Sequence, residues 1–508
     1  MTLTPTLPPF QAIADLVAQH ARSRPAHVAV VQGARSVCWA QLDAMADRIA
    51  ASLQRDGIAP GEAISICAAN SLEYVAVFLG GLRAGAAVAP LSTHSSAQQL
   101  STMVDDCGAR HLFIEGAVPA FETRARRIFM DGLGAERLQD WLLPAGSRPR
   151  PVQVTPDAPF NIIYSSGTTG TPKGIVQPHG MRWSHVARAE SYGYGPDAVT
   201  LIATSLCSNT TLVCFFPTLA RGGTVVLAPA KFDAGAWLAL AQQQRATHAM
   251  LVPVQYQRIL AREDFDDYNL SSFHMKFCTS APFHAALKQQ VLDRWPGGLV
   301  EFYGMTEGGG SCILEAHTFP QKLHTVGKPA EGHDMRTIDE EGLELARGEV
   351  GEVVGRSGAM MTGYHNRPDI TREAQWHDAQ GQRFIRTGDV GRFDEDGFLT
   401  LMDRRKDMVI SGGFNIYPSD LEAVLREHPA VADAAVIGMP SAEWGETPVA
   451  YIVPADGALD SPESVREWLN ARVGKTQRLS GLRFTDELPR SEIGKVLKRQ
   501  LREQWART

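Results

Sequence analysis

Lys173 closes the stretch Tyr164 to Gly174, which reads YSSGTTGTPKG. It follows the hydroxyls of Ser165, Ser166, Thr168, Thr169 and Thr171, which are interleaved with Gly167 and Gly170, and the β-like run FNII precedes them all. Backbone N–H groups in a glycine-rich loop after a strand can converge on phosphate oxygens, because glycine permits close approach and unusual dihedrals. The hydroxyls add donors and the lysine a mobile positive charge. The chemistry this pattern could perform is the cradling of a polyphosphate. A Gly/Ser/Thr cluster alone is usually only a surface turn; the ordered hydroxyls ending in a cation distinguish this one.

The loop is not a Walker A motif, which requires GxxxxGK followed by Ser or Thr, since Gly174 follows Lys173. The GKT at 474–476 fails as well, because Leu469 stands where the first glycine belongs. The chain contains no GxGxxG, HExxH or GxSxG. Dinucleotide-binding, zinc-protease and serine-hydrolase readings therefore lack support.

The elements that must position this loop are legible in the periodicity. FQAIADLVAQHARS and AQLDAMADRIAASLQRDG repeat apolar residues at three- and four-residue intervals, and the second ends on a glycine. AISICAA, HLFIEG, AVTLIAT, GTVVLA, ATHAMLVP and MKFCTSA are short apolar strands. Their alternation with helices predicts a largely parallel sheet covered on both faces. After about residue 345 the texture changes: GEVGEVVGRSGAMMTGYHNRP and FIRTGDVGRFDEDGFLTLMDR read as antiparallel strands joined by Gly and Asp turns. DRRKDMVISGGFNIYPSDLEAVLREH then leads into a helix, with Ser419 the expected N-cap and Glu422 its capping-box partner. A small α+β unit follows, with the boundary near Lys406.

With 508 residues the chain exceeds one ordinary core, so at least two domains are expected. A net charge of −7 argues against a general nucleic-acid binder. No apolar run approaches the ~20 residues of a membrane helix, and MTLTPTLPPF lacks the layout of a signal peptide. The cysteines at 38, 67, 107, 207, 214, 278 and 312 form no CxxC pair, which suits reduced, buried thiols in a cytoplasm better than disulfides or zinc.

YSSGTTGTPKG resembles the signature loop of the adenylate-forming superfamily of acyl-CoA synthetases, peptide-synthetase adenylation domains and beetle luciferases. EFYGMTEGG (301–309), RTGDVG (386–391), DRRKDMVISGGFNIYP (403–418) and PRSEIGKVLKR (489–499) resemble its further motifs, in the family's order. The resemblance implies an α/β fold: a large N-terminal domain of αβ-layered sheets plus a distorted antiparallel β-barrel-like part, and a small mobile α+β C-terminal domain. It divides the chain into residues 1–403, a hinge at 404–407, and 408–508. It implies a cytoplasmic, AMP-forming acid–thiol ligase using ATP, Mg²⁺ and coenzyme A. A carboxylate attacks the α-phosphorus of ATP to give acyl-AMP and pyrophosphate, and a thiol then displaces AMP.

The same resemblance assigns roles. Ser165, Ser166, Gly167, Thr168, Thr169, Gly170 and Lys173 are similar to the family's pyrophosphate binders. Glu307 matches its magnesium-associated carboxylate, Thr306 the α-phosphate contact, and Tyr303 the ring against adenine, with Gly304, Ser280, Ala281 and Pro282 beside the nucleotide. Asp389 and Arg404 match ribose contacts, Lys406 the hinge and Lys495 the adenylation lysine. Gly412 and Gly413 match the loop walling the pantetheine tunnel, and Trp444 is a candidate coenzyme A contact.

At the expected acyl pocket, LIATSLCSNTTLVCFFPTLARGG places Ser208 where relatives commonly carry an aromatic gate, followed by Asn209. SNTT also reads as the cap of the apolar helix that follows. No Asp or Glu lies in this segment, which disfavours an amino-acid substrate. Val252, Pro253 and Gly304 are the neighbouring candidates, suiting an aryl or alkyl acid. Expected partners are thus a small carboxylic acid, ATP and coenzyme A, without nucleic acid or stable membrane insertion, and a homodimer is compatible with this. A ligase loading a carrier protein and an inactive nucleotide- or acyl-binding protein are the alternatives.

Overall fold

The helical periodicities become Ile13–Ser23 and Trp39–Arg55, the latter ending just before Gly57 at φ 78°. Each predicted strand core is a strand: Ala63–Cys67, His111–Ile114, Val199–Ile202, Thr224–Leu227, His248–Leu251 and Met275–Cys278. The computed structural model describes residues 8–165, 172–404, 407–411, 414–441, 444–455, 457, 460–491 and 494–507. By internal contacts the chain separates into one unit of Met1–Met335 with Gly355–Ile385 and a second of Arg336–Val354 with Arg386–Thr508. Strand Arg383–Phe393 begins in the first and ends in the second. This contact division and the expected swivel at 404–407 describe different properties of the chain.

The first unit holds two sheets. In the seven-stranded one, Pro159–Ser165, Ala87–Leu91, Ala63–Cys67, His111–Ile114 and Arg126–Phe129 run parallel. Lys173–Pro178 and Gly363–Tyr364 extend its edge antiparallel. In the nine-stranded one, the parallel core follows the spatial order Gly298–Gly304, Met275–Cys278, His248–Leu251, Val199–Ile202, Thr224–Leu227, Val28–Gln32. One hydrophobic core joins residues of both sheets, including Ile64, Val88 and Phe160 with Val30, Val225 and Phe277. Helix Leu72–Arg83 lies within it, buried from Leu72 to Leu82 apart from Glu73, as an all-round apolar helix must be. A Cβ on its Gly80 would fall 2.6 Å from the Ile49 side chain, so glycine sets the close approach to helix Trp39–Arg55.

In the second unit, Val431–Ser441 and Gly445–Pro454 form a long antiparallel hairpin, with Gly481–Phe484 parallel to its second strand. Alternate residues separate onto opposite faces. Ala434, Val436, Ala450 and Ile452 pack with Leu421, Leu425, Val465 and Leu469 of two helices, whereas Ala435, Ile437, Val449 and Tyr451 pack with Leu501 and Trp505 of helix Lys498–Arg507. The capping expectation at Ser419 is corrected here. Helix Pro418–Leu425 starts two residues earlier than expected with Tyr417 as N-cap, and proline occupies the first position, where its missing N–H costs nothing. The Ser419 hydroxyl donates to the Met402 carbonyl instead, and Glu422 accepts from Val436 N–H at 2.9 Å and pairs with Lys498 at 3.0 Å.

All seven cysteines are free and six are buried. Among the described residues no helix is long and apolar enough to cross a membrane.

Candidate active site

Four neighbouring parallel strands of the nine-stranded sheet end at Ile202, Leu251, Cys278 and Gly304. In open α/β sheets ligands bind beyond the carboxyl ends of strands, because the connecting loops there are free to carry polar groups. Directly after these ends come Ser208 and Asn209, Val252 and Pro253, Ser280 to Pro282, and Thr306 with Glu307. Sheet order thereby gathers positions that are up to a hundred residues apart in sequence.

Ser208 is the N-cap of helix Asn209–Ala220 and accepts from Thr210 N–H at 3.3 Å, as the SNTT reading expects. The Thr210 hydroxyl is hydrogen-bonded to that of Ser280, a non-glycine residue at φ 82°. Val252 is buried and caps helix Pro253–Leu260, with Pro253 at its first position. Ala281 is half-buried and Pro282 exposed.

Two hairpins carry the charged groups. Ser165 ends strand Pro159–Ser165 directly opposite Lys173, the first residue of the antiparallel strand Lys173–Pro178, so the intervening loop joins paired strand ends. In the other hairpin Gly304 pairs with Ser311 and Tyr303 with Cys312, leaving Met305 to Gly310 as its tip. Gly308 has φ +75°, and a Cβ there would strike the Ala359 carbonyl oxygen, so glycine is required beside Glu307. Strand Gly363–Tyr364 fastens the two together. It pairs with Val176 and Ile175, His365 N–H donates to Gly174 O at 2.7 Å, and Met361 N–H donates to Glu307 O at 2.8 Å. The Tyr364 hydroxyl donates to Glu307 Oε1 at 2.8 Å, and Lys173 Nζ lies 5.5 Å from the centroid of the same ring. Burial and the adjoining Glu307 carboxylate raise the Tyr364 pKa well above that of an ordinary phenol, so it acts as a donor.

Beneath these groups runs a buried polar network. Gln177 Nε2 donates to Thr306 O at 2.5 Å and to Asn209 Oδ1 at 3.3 Å, while Gln177 Oε1 accepts from Arg182. Arg182 is fully buried and donates through Nε to Asn161 Oδ1 at 3.2 Å. Burial lowers its pKa to about 9, which leaves it protonated near neutrality. The network ties the seven-stranded sheet to the Thr306 backbone and to the first residue of the Asn209–Ala220 helix.

In the second unit Asp389 is buried on strand Arg383–Phe393, in register with Arg404, and its N–H donates to Thr387 Oγ1 at 3.1 Å. Lys495 is half-buried; its N–H donates to Ser491 Oγ at 3.2 Å and its carbonyl accepts from Ser491 N–H at 2.8 Å. Trp444 is 52% exposed. Ser166, Gly167, Thr168, Thr169, Gly170, Lys406, Gly412 and Gly413 lie outside the described residues, as does the Arg404 side chain.

The profile of the AMP-binding enzyme family matches residues 17–365, and that of the AMP-binding enzyme C-terminal domain matches 420–495. The chain belongs to the AMP-binding enzyme family. A feruloyl-CoA synthase from Amycolatopsis is 34% identical over 504 residues, covering 97% of this chain and 99% of that enzyme. An indoleacetate–CoA ligase from Aromatoleum aromaticum is 31% identical, with 97% and 98% covered. Among solved structures, the amide bond synthetase McbA from Marinactinospora thermotolerans superposes with a TM-score of 0.85 at 28% identity, with 97% and 99% covered. This AMP-binding enzyme is an acid–thiol ligase of the acyl-/aryl-CoA synthetase branch of the adenylate-forming superfamily, with its α/β fold of a large N-terminal and a small C-terminal domain.

In this AMP-binding enzyme Tyr364, Gln177 and Arg182 escaped the sequence reading. Tyr364 stands in the stretch MTGYHNRP, which marks it only as a turn-flanked strand residue. Gln177 and Arg182 are polar residues of a strand and a helix, and no local pattern signals that both are completely buried.

Proposed function

We propose that this chain activates an aryl or fatty carboxylic acid with ATP, forming acyl-AMP and pyrophosphate, and then transfers the acyl group to coenzyme A with release of AMP. The observation that carries the reading is the convergence of Lys173 and Glu307 on Tyr364, which places a cation and a carboxylate at the meeting point of two hairpin tips.

Adenylation brings a carboxylate to a polyanion, so charge neutralisation and positioning dominate the barrier. Lys173, with the hydroxyls of Ser165, Ser166, Thr168 and Thr169, neutralises and holds the β- and γ-phosphates. Thr306 contacts the α-phosphate, Tyr303 lies against adenine, and Asp389 with Arg404 holds the ribose. Lys495 neutralises charge on the carboxylate and α-phosphate oxygens during attack. Gly412, Gly413 and Trp444 receive coenzyme A, and Lys406 is the pivot of the small domain, residues 408–508.

Glu307 suits a magnesium ion bound largely through nucleotide and water. One of its carboxylate oxygens is engaged by Tyr364, and no group of three or more His, Cys, Asp or Glu among the described residues could hold a metal. Mg²⁺ normally takes one or two carboxylates beside substrate phosphates. When bound it supplies charge stabilisation on the departing pyrophosphate.

The test is acid-dependent exchange of labelled pyrophosphate into ATP, surveyed over benzoates, cinnamates and short to long fatty acids. Exchange absent with every acid removes the proposal. Comparing AMP release with free coenzyme A and with a holo-carrier protein then identifies the thiol acceptor.

A further inference from the structure

Arg188 is the last residue of helix His179–Arg188 and has no carboxylate partner among the described residues. Its Nε donates to Ser184 O at 3.3 Å, and its Nη1 lies 3.4 Å from His333 Nε2. That second contact joins two donors. His333 Nδ1 already accepts the Ser311 N–H at 3.0 Å, so a neutral ring carries its proton on Nε2. Burial, reinforced by Arg188, lowers the His333 pKa to about 4, so the ring is neutral near pH 7. Two N–H groups that face each other without an acceptor call for one from outside.

The surroundings are consistent with this. Arg182 Nη1 and His185 Nδ1, on the same helix, are buried without partners, so the region gathers basic groups. Tyr192 and Arg188 perturb each other's ionisation, and the Glu315 carboxylate acts on Tyr192. The Tyr192 ring packs edge-on against Phe277 at 5.6 Å and Phe302 at 5.9 Å.

The donors adjoin Gly304, one of the candidate acyl-pocket positions. His333 is bound to Ser311, which pairs directly with Gly304, and Phe302 pairs with Ile313. Cross-strand partners and alternate residues share a face, so Phe302, Gly304, Ser311 and Ile313 form one surface. Gly304 contributes no side chain to it.

We propose that Arg188 and His333 bind an oxygen acceptor at the end of the acid remote from its reacting carboxylate, making ring-oxygenated aryl acids the preferred substrates. The inference rests on the ligase reading and refines its substrate class: a plain apolar acid would leave a desolvated guanidinium unpaired. A hydroxyl, a methoxyl and a second carboxylate share the required chemistry.

The experiment measures kcat/KM by pyrophosphate release for cinnamate and benzoate against their 4-hydroxy, 4-methoxy and 4-carboxy derivatives, with the wild type, Arg188→Met and Arg188→Leu. In the wild type the best oxygenated acid is expected to exceed its parent by at least about tenfold. In whichever variant folds, that ratio falls toward one. A best 4-carboxy acid identifies an anionic acceptor, a best hydroxy or methoxy acid a neutral one, and either supports the proposal. A wild-type ratio near or below one overturns it, as does a ratio that persists in a folded variant. Turnover of the parent acids without preference removes this inference alone, whereas no turnover of any acid removes the ligase reading and this one with it.

Discussion

Tyr364 donates its hydroxyl to Glu307 Oε1 at 2.8 Å while its ring lies 5.5 Å from Lys173 Nζ, so one side chain touches both charged groups of the candidate phosphate site. The two contacts use different parts of the residue and can be removed separately. Tyr364→Phe keeps the ring and frees the carboxylate. A hydrogen bond to a charged group contributes about 1.5–3 kcal/mol, so the Mg²⁺ concentration for half-maximal pyrophosphate exchange is expected to rise about tenfold or more. Tyr364→Leu removes the ring too and should additionally raise KM for ATP, by roughly the 0.5–1 kcal/mol of an exposed cation–π contact. Titrations of Mg²⁺ and ATP for both variants check this; identical behaviour of the two would show that the ring does not seat Lys173.

Lys495→Ala is expected to lose about 3 kcal/mol or more of transition-state stabilisation in adenylation, by analogy with deletion of an oxyanion donor. Thioester formation from pre-made acyl-AMP should survive. Single-turnover measurement of each half-reaction decides it, and equal loss in both would refute the lysine's role.

Gln177→Leu leaves Arg182 without the acceptor of one guanidinium nitrogen in a fully buried site. An unsatisfied buried donor costs about 1–3 kcal/mol. The Thr306 carbonyl loses its donor as well. We expect a lower midpoint in urea together with reduced acid-dependent exchange, measured on the same preparation.

Ser208→Ala removes the side-chain cap of helix Asn209–Ala220. Capping losses run to about 1 kcal/mol. If the cap is the serine's main role, thermal unfolding shifts modestly while the ranking of acid substrates stays unchanged. A reordered ranking would instead make Ser208 a pocket residue.

His179 and His248 are buried, and burial lowers each pKa from 6.5 to about 4. Because the folded-state values are depressed, the unfolded chain binds more protons between about pH 4 and 6.5. Their contribution is complete above pH 6.5 and is lost as pH falls toward 4, at up to about 1.4 kcal/mol per pH unit for each histidine. Denaturant unfolding at pH 7, 6 and 5 should show the decline, and His179→Gln, where it folds, should flatten it.

Much of this protein is legible in its sequence. Strands and helices such as Val199–Ile202 and Trp39–Arg55 follow from local periodicity, because burial of one face imposes a repeat of two or 3.6 residues. Lys173 and Glu307 stand out because their loops need glycines, hydroxyls and charges in a fixed order, which adjacent residues record. The Ser419 cap was misjudged because a proline one position earlier started the helix first.

Tertiary structure alone decided the rest. Tyr364 meets Glu307 across a sequence separation of 57, and Arg188 meets His333 across one of 145. Neither pairing leaves a trace in the neighbouring residues, since the contact depends on which strands become adjacent and where their ends fall. The burial of Arg182 is likewise set by tertiary packing, which brings it onto Asn161 and Gln177 of the seven-stranded sheet. Local sequence chose the chemical groups, and strand order chose their partners.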